Sequence, residues 1–166
     1  MDFKVLKLDS IKIDDNYNVY YLNSKNERKS LELITPEVFL PFGIDRDTKG
    51  GLYLNLQLRK SICNKNNYEL ILFLKFLENI EAKFKDHTKK DVKTLIRKKQ
   101  NHEAIINTKV INKYGKISTE VFKNNENYNF YNIDKNISLK THIIIDKLWL
   151  FNDIIFYKIK LKQIFL

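Results

Sequence analysis

Between residues 35 and 84 the sequence TPEVFLPFGIDRDTKGGLYLNLQLRKSICNKNNYELILFLKFLENIEAKF changes its period once, and that change constrains the fold more than any other feature. Over 52–59 apolar and polar residues alternate strictly. Leu52, Leu54, Leu56 and Leu58 fall on one side of a strand, and Tyr53, Asn55, Gln57 and Arg59 on the other. After a turn rich in Asn and Ser, Leu70, Phe73, Leu74, Leu77, Ile80 and Phe84 recur at helical spacing. A helix with that stripe covers the leucine face. The outward side of the strand is then free to present an aromatic ring, two amides and a guanidinium to a partner.

The chain before this unit reads as mostly β. Residues 3–13 alternate apolar with basic or polar residues and predict one bent strand or two short ones. Asp14, Asp15 and Asn16 mark a turn, 17–22 a second strand, and 31–34 a third apolar run. Pro36 and Pro41 bracket a tight loop before Gly43, and Gly50-Gly51 supplies the backbone freedom for a hairpin into 52–59. Beyond the helix, 104–111 and 118–122 predict a hairpin turning at Gly115. Residues 137–150 and 154–166 predict a long closing hairpin with its turn at Asn152-Asp153. In its last strand Ile155, Tyr157, Ile159 and Leu161 face one way, and Phe156, Lys158, Lys160 and Lys162 the other. Trp149, the one tryptophan, is expected in the core near a strand end.

A chain of 166 residues suits one domain over 1–166, with about 70% of its unfolded surface buried. Nine Tyr, eleven Phe and 43% hydrophobic residues exclude a disordered chain. The net charge of +10 favours a polyanionic partner, nucleic acid before an acidic membrane. Between 83 and 99 eight Lys or Arg face only Asp86 and Asp91, so this stretch carries +6 of the total. A second, basic helix is expected over about 89–99, where Val92, Leu95 and Ile96 share a face. Its lysines are either a solvated face or a rail for phosphates. In the polar stretch 124–136, Tyr128, Phe130 and Tyr131 either plug a barrel end or stack on bases.

The sequence recommends no catalytic chemistry. The glycines, Gly43, Gly50, Gly51 and Gly115, have the spacing of neither a phosphate loop nor a dinucleotide fingerprint. His87, His102 and His142 lack metal-ligand spacing, and Cys63 has no evident base. Asp45 and Asp47 are read as a charged loop with Arg46, the alternative being carboxylates of a metal-dependent nuclease. No enzyme, cofactor or metal site is therefore expected. The single cysteine and the absence of a leader pattern at the start of the sequence predict an intracellular protein. The apolar window 68–77, interrupted by Glu69 and Lys75, is too short to span a membrane.

The run TPEVFLPFGID, then LYLNLQL, the helix ending LENIEAKF, Trp149 and the closing IIFYKIKLKQIFL resemble OB-fold single-stranded DNA-binding proteins of nucleocytoplasmic large DNA viruses. That family is distantly similar to phage replication single-strand binders. The resemblance covers most of the chain from residue 31 onward. It implies a five-stranded antiparallel barrel with one long packed helix, in keeping with the mainly β, α+β reading above, which adds a second short basic helix. It further implies a sequence-nonspecific role in viral DNA replication, recombination or repair, with single-stranded DNA and viral replication proteins as partners. The implied location is the host cytoplasm, a viral replication site or the virion. The phage relatives end in an acidic tail, whereas this sequence ends in QIFL.

Single-strand binding needs a basic groove along the backbone and aromatic faces for the bases. The stacking candidates are Tyr53, Phe122, Tyr128 and Phe130, with Tyr114 in reserve. The phosphate candidates are Arg59, then Lys83, Lys85, Lys89, Lys90, Lys93, Arg97, Lys98 and Lys99, and the ladder Lys158, Lys160 and Lys162. Two other functions compete: a packaging protein that holds duplex DNA by its phosphates alone, and the nuclease built on Asp45 and Asp47.

Overall fold

The computed structural model describes residues 1–58, 67–98 and 104–166. Arg59, Cys63, Lys99 and His102 lie outside the described residues. In chain order the strands before the helix are β1 (Ile11–Ile13), β2 (Val19–Leu22), β3 (Arg28–Ile34), β4 (Val38–Leu40), β5 (Ile44–Arg46) and β6 (Leu52–Leu58). Helix α1 (Asn67–Thr88) follows, then β7 (Asp91–Val92), β8 (Ile96–Lys98), β9 (Ala104–Val110), β10 (Asn112–Lys113), β11 (Lys116–Ile117), β12 (Glu120–Lys123) and β13 (Glu126–Asn127). The chain closes with β14 (Ile137–Ile145), β15 (Leu148–Phe151), β16 (Ile154–Tyr157) and β17 (Ile159–Phe165).

β4, β6, β9, β17 and β14 pair in that order, and β14 returns to β4, so the five strands close into a barrel. β3 and β4 act as one barrel strand kinked at Thr35-Pro36, since β14 pairs with β3 along 142–145 and with β4 along 137–139. Pro36 has no N–H to give a ladder. At the kink, the buried Thr35 hydroxyl instead accepts the Thr141 amide at 2.9 Å. Numbered from that strand, the circuit runs 1-2-3-5-4 and back to 1, the connectivity of an OB-like barrel. β9 and β17 run parallel, so the barrel is not antiparallel throughout as expected. The long excursion from β10 to β14 brings the chain back alongside β9 in the same direction, which a tight hairpin cannot do.

The expected leucine face is the core. Leu52, Leu54, Leu56 and Leu58 are all buried, and α1 adds Phe73, Phe76, Leu77, Ile80 and Phe84 to the same apolar cluster. Leu70 and Leu74 are only half-buried, because the stripe swings towards Phe76, whose ring meets Phe3 at 5.9 Å. At its other end Phe84 packs edge-on against Tyr157 at 5.4 Å. Removing a buried phenylalanine of this kind typically costs about 3–5 kcal/mol.

Three other expectations are corrected. Residues 3–10 are not a strand; they turn and form a short 3-10 helix (Leu8–Ser10) before β1. β9 and β12 do not pair with each other, but lie one after the other on the same parallel partner, β17, with the small hairpin β10–β11 between them. Over the described residues 89–98 the expected second basic helix does not form. Lys89 takes a left-handed φ of 56° and ends α1, and β7 then adds to the edge of the β15–β16 hairpin. Edge pairing and the Glu81 carboxylate, which accepts the Leu95 amide at 3.1 Å, supply partners that a lone basic turn of helix would lack.

Candidate nucleic-acid interface

The register of the second and third barrel strands sets out one polar face. On β6 and β9, Tyr53 lies opposite Lys109, Asn55 opposite Asn107 and Gln57 opposite Ile105, while β8 brings Arg97 beside Ile105 from the other edge. The Asn55 side-chain oxygen accepts from the Arg97 guanidinium at 3.0 Å and from the Asn107 amide at 3.1 Å. Those bonds hold the guanidinium across the face. Partial desolvation, and then a hydrogen bond to Asp45, push the Tyr53 phenol above its ordinary value, so the ring stays neutral.

The loop between β5 and β6 borders this face. Asp47 accepts the Lys49 amide at 2.9 Å and the Gly51 amide at 2.7 Å, and its other oxygen lies 3.4 Å from Lys109 Nζ. The Gly51 amide, foremost, holds the Asp47 carboxyl below the usual carboxylate range. A Cβ on Gly51 would come within 2.5 Å of that carboxylate, so any larger residue there would push the Asp47 side chain aside.

At the loop between the fourth and fifth barrel strands stands the β15–β16 hairpin. Its two-residue turn, Asn152-Asp153, has both φ angles positive and places Trp149 opposite Phe156 and Phe151 opposite Ile154. Side chains alternate along each strand, so these four share one side of the hairpin. Trp149 and Phe156 stack at 6.0 Å with 17° between planes, and Phe151 meets Phe156 edge-on at 6.3 Å. Trp149 is 36% and Phe151 61% exposed, which corrects the expectation of a core tryptophan. The opposite side of the hairpin already holds the buried Leu148, Ile155 and Tyr157, and a two-stranded ribbon apolar on both sides cannot bury both here.

Lys158, the next residue, sits with its ammonium 5.0 Å over the Trp149 ring. Its pKa is lowered, first by desolvation and then by repulsion from Lys109 and Lys160. The platform and the β6–β9 face are therefore joined by a cluster of three lysines. Lys160 lies opposite Lys109 in the register and is paired with Asp146 at 2.5 Å. Lys162, a bulge residue, is paired with Glu32 at 2.8 Å.

Of the residues proposed from sequence, Tyr53, Arg97, Lys158 and Lys160 come together here. The others are dispersed. Lys85, Lys89, Lys90 and Lys98 pair with Asp91, Asp86, Asp153 and Glu78 at 2.6–2.7 Å. Lys83 is half-exposed near the end of α1, and Lys93 is exposed. Phe122 stacks on Phe165 at 5.7 Å, and Tyr128 lies beneath Lys123 at 5.0 Å. Phe130 is buried in the core and offers no free ring face, which corrects its place among the stacking residues. Tyr114 stands at the tip of β10–β11, and Arg59 and Lys99 lie outside the described residues. Lys109, Trp149, Phe151 and Phe156 are candidate site residues that the sequence reading did not propose. Their signal was the sequence WLFNDIIFY: an Asn-Asp turn fixes the cross-strand pairs and puts three aromatics on one side.

Among the described residues no group of three or more His, Cys, Asp or Glu is placed to hold a metal ion, and no helix is long and apolar enough to cross a membrane. The chain has the fold of an OB-like barrel elaborated by one long helix between its second and third strands. Among solved structures it is similar to a single-stranded DNA-binding protein from bacteriophage Enc34, with a TM-score of 0.57, 11% identity, and coverage of 93% of this chain and 87% of that one. No protein-family model and no curated protein matches the sequence.

Proposed function

We propose that the protein binds single-stranded DNA without strong sequence preference, stacking bases on Trp149, Phe151 and Phe156. Phosphates then run over Lys158, Lys109 and Arg97, beside the Lys160–Asp146 ion pair. The observation that carries this is the stack of the exposed Trp149 on the half-buried Phe156, with Lys158 over the indole ring, at the loop between the fourth and fifth barrel strands. OB-folds bind oligonucleotides on the face of their second and third strands and through that loop. Base–aromatic stacking contributes roughly 1–3 kcal/mol per base and tolerates any sequence. The similarity in fold to a phage protein of that name supports the same reading.

Within this proposal the protein is a binder rather than an enzyme, and acts on unwound strands during viral DNA replication, recombination or repair, inside the host cell. Fluorescence anisotropy with a labelled oligo-dT of about 30 nucleotides and a matching duplex, across a salt series, tests it. Tighter binding to the single strand, with a remainder that survives high salt, is expected. Equal binding to both that vanishes with salt would point to phosphate contacts alone. Cleavage of the DNA with Mg²⁺, lost in Asp45→Ala, would point to the nuclease.

A further inference from the structure

The hairpin β10–β11 carries Tyr114 at its tip, wholly exposed at 104% relative accessibility. Tyr114 and Gly115 form its two-residue turn with φ of 53° and 76°, both left-handed. Gly takes that conformation without strain, and Asn and Asp tolerate it, whereas a bulky side chain does so only at a cost. The equivalent turns of this protein use Asn124-Asn125 and Asn152-Asp153. Tyr114 thus spends backbone strain on a ring that packs against nothing among the described residues. A solvent-facing aromatic held in this conformation between Lys113 and Lys116 gains no burial among the described residues in return, and strain of this sort is often found at ligand-binding surfaces.

The root of the hairpin is fixed. The Thr119 hydroxyl accepts the Ile111 amide at 2.9 Å and donates to the Leu161 carbonyl at 2.6 Å, and the Ser118 amide donates to the Ile111 carbonyl at 2.8 Å. Leu161 follows Lys160, and Ile111 lies two residues beyond Lys109. Lys158 and the start of β17, Ile159 to Leu161, therefore lead from the aromatic platform to the base of this finger.

We propose that the β10–β11 hairpin is a second, separate contact for single-stranded nucleic acid. Tyr114 stacks on a base beyond those held by Trp149 and Phe156, and Lys113 and Lys116 meet the flanking phosphates. The inference rests on the single-strand reading above, and it sets the length of strand the protein needs.

The test is Tyr114→Asn in the full chain, because Asn suits the left-handed turn and keeps the hairpin folded. Anisotropy is measured with oligo-dT of about 8 and about 30 nucleotides, lengths chosen around the 4–16 nucleotides that one OB fold occupies. The variant is expected to melt no lower than the wild type and to bind the short strand unchanged. It should bind the long one roughly tenfold more weakly, the effect of one lost stack. If Tyr114→Asn holds the long strand like the wild type while Trp149→Ala does not, the finger has no part and the platform stands. If the wild type binds neither strand, the single-strand reading fails and this inference fails with it.

Discussion

Residues 83–98 and the β15–β16 hairpin with Lys158 make opposite use of charge and apolar surface. The first region has the highest density of lysine in the chain, yet Lys85, Lys89, Lys90 and Lys98 each face a carboxylate within 2.7 Å. The second has a single lysine, which rests on an indole ring beside two other cations rather than against an acid. Local net charge is thus a poor guide to charge available for a phosphate. A surface ion pair is worth little to stability, but it leaves less potential for a partner.

The largest effect expected from breaking this contrast is on the platform. Trp149→Ala with Phe156→Ala should weaken oligo-dT binding by about 2–6 kcal/mol, two stacks' worth, with the loss persisting at high salt. A circular-dichroism melt within a few degrees of wild type shows that the barrel is intact, since Trp149 is exposed and Phe156 only half-buried.

Next in size is Lys158. Lys158→Gln should lower the slope of log affinity against log salt by about 0.7, one phosphate on a single strand. Its pH dependence has a definite sign. The free ammonium loses its proton below the ordinary 10.5, and a bound phosphate favours the charged form. Affinity is therefore full at neutral pH and falls as pH rises through that lowered value. Lys158→Arg, which stays charged, should remove the alkaline loss in the same anisotropy titration.

Smaller and opposite in sign is Asp47→Asn. It keeps an oxygen for the Lys49 and Gly51 amides but frees Lys109 from its 3.4 Å partner. Affinity should rise a few-fold, and the salt slope should steepen by less than about one phosphate's worth. The least effect is expected in the region that looks most basic: Lys89→Gln with Lys90→Gln should leave the salt slope nearly unchanged. A fall of about 1.4, two phosphates' worth, would restore the lysine-rich run to the interface.

Much of the barrel was legible because its signals are local. Strict alternation over 52–58 gave β6 and its buried leucines, and helical spacing gave α1. Asn152-Asp153 marked the turn of the closing hairpin. What was not legible depends on partners distant in sequence. The apolar triplet Val92, Leu95 and Ile96 fits a helix equally well until β16 offers an edge to β7. The lysines read as a rail until Asp153 and Glu78 arrive from other elements. Trp149 lies outside the core expected for it, and Phe130 takes the buried one of its two readings, because burial follows the space left by the core. Phe130 fills such a space, whereas the side of the hairpin that carries Trp149 has none.

Trp149 is the sole tryptophan, so its emission reports on the platform alone. Titrating the wild-type protein with unlabelled oligo-dT while following that emission tests the central claim most directly. Stacking predicts saturable quenching by the single strand that persists at high salt and is absent with duplex. Binding seen by anisotropy under the same conditions, with tryptophan emission unchanged, would contradict it.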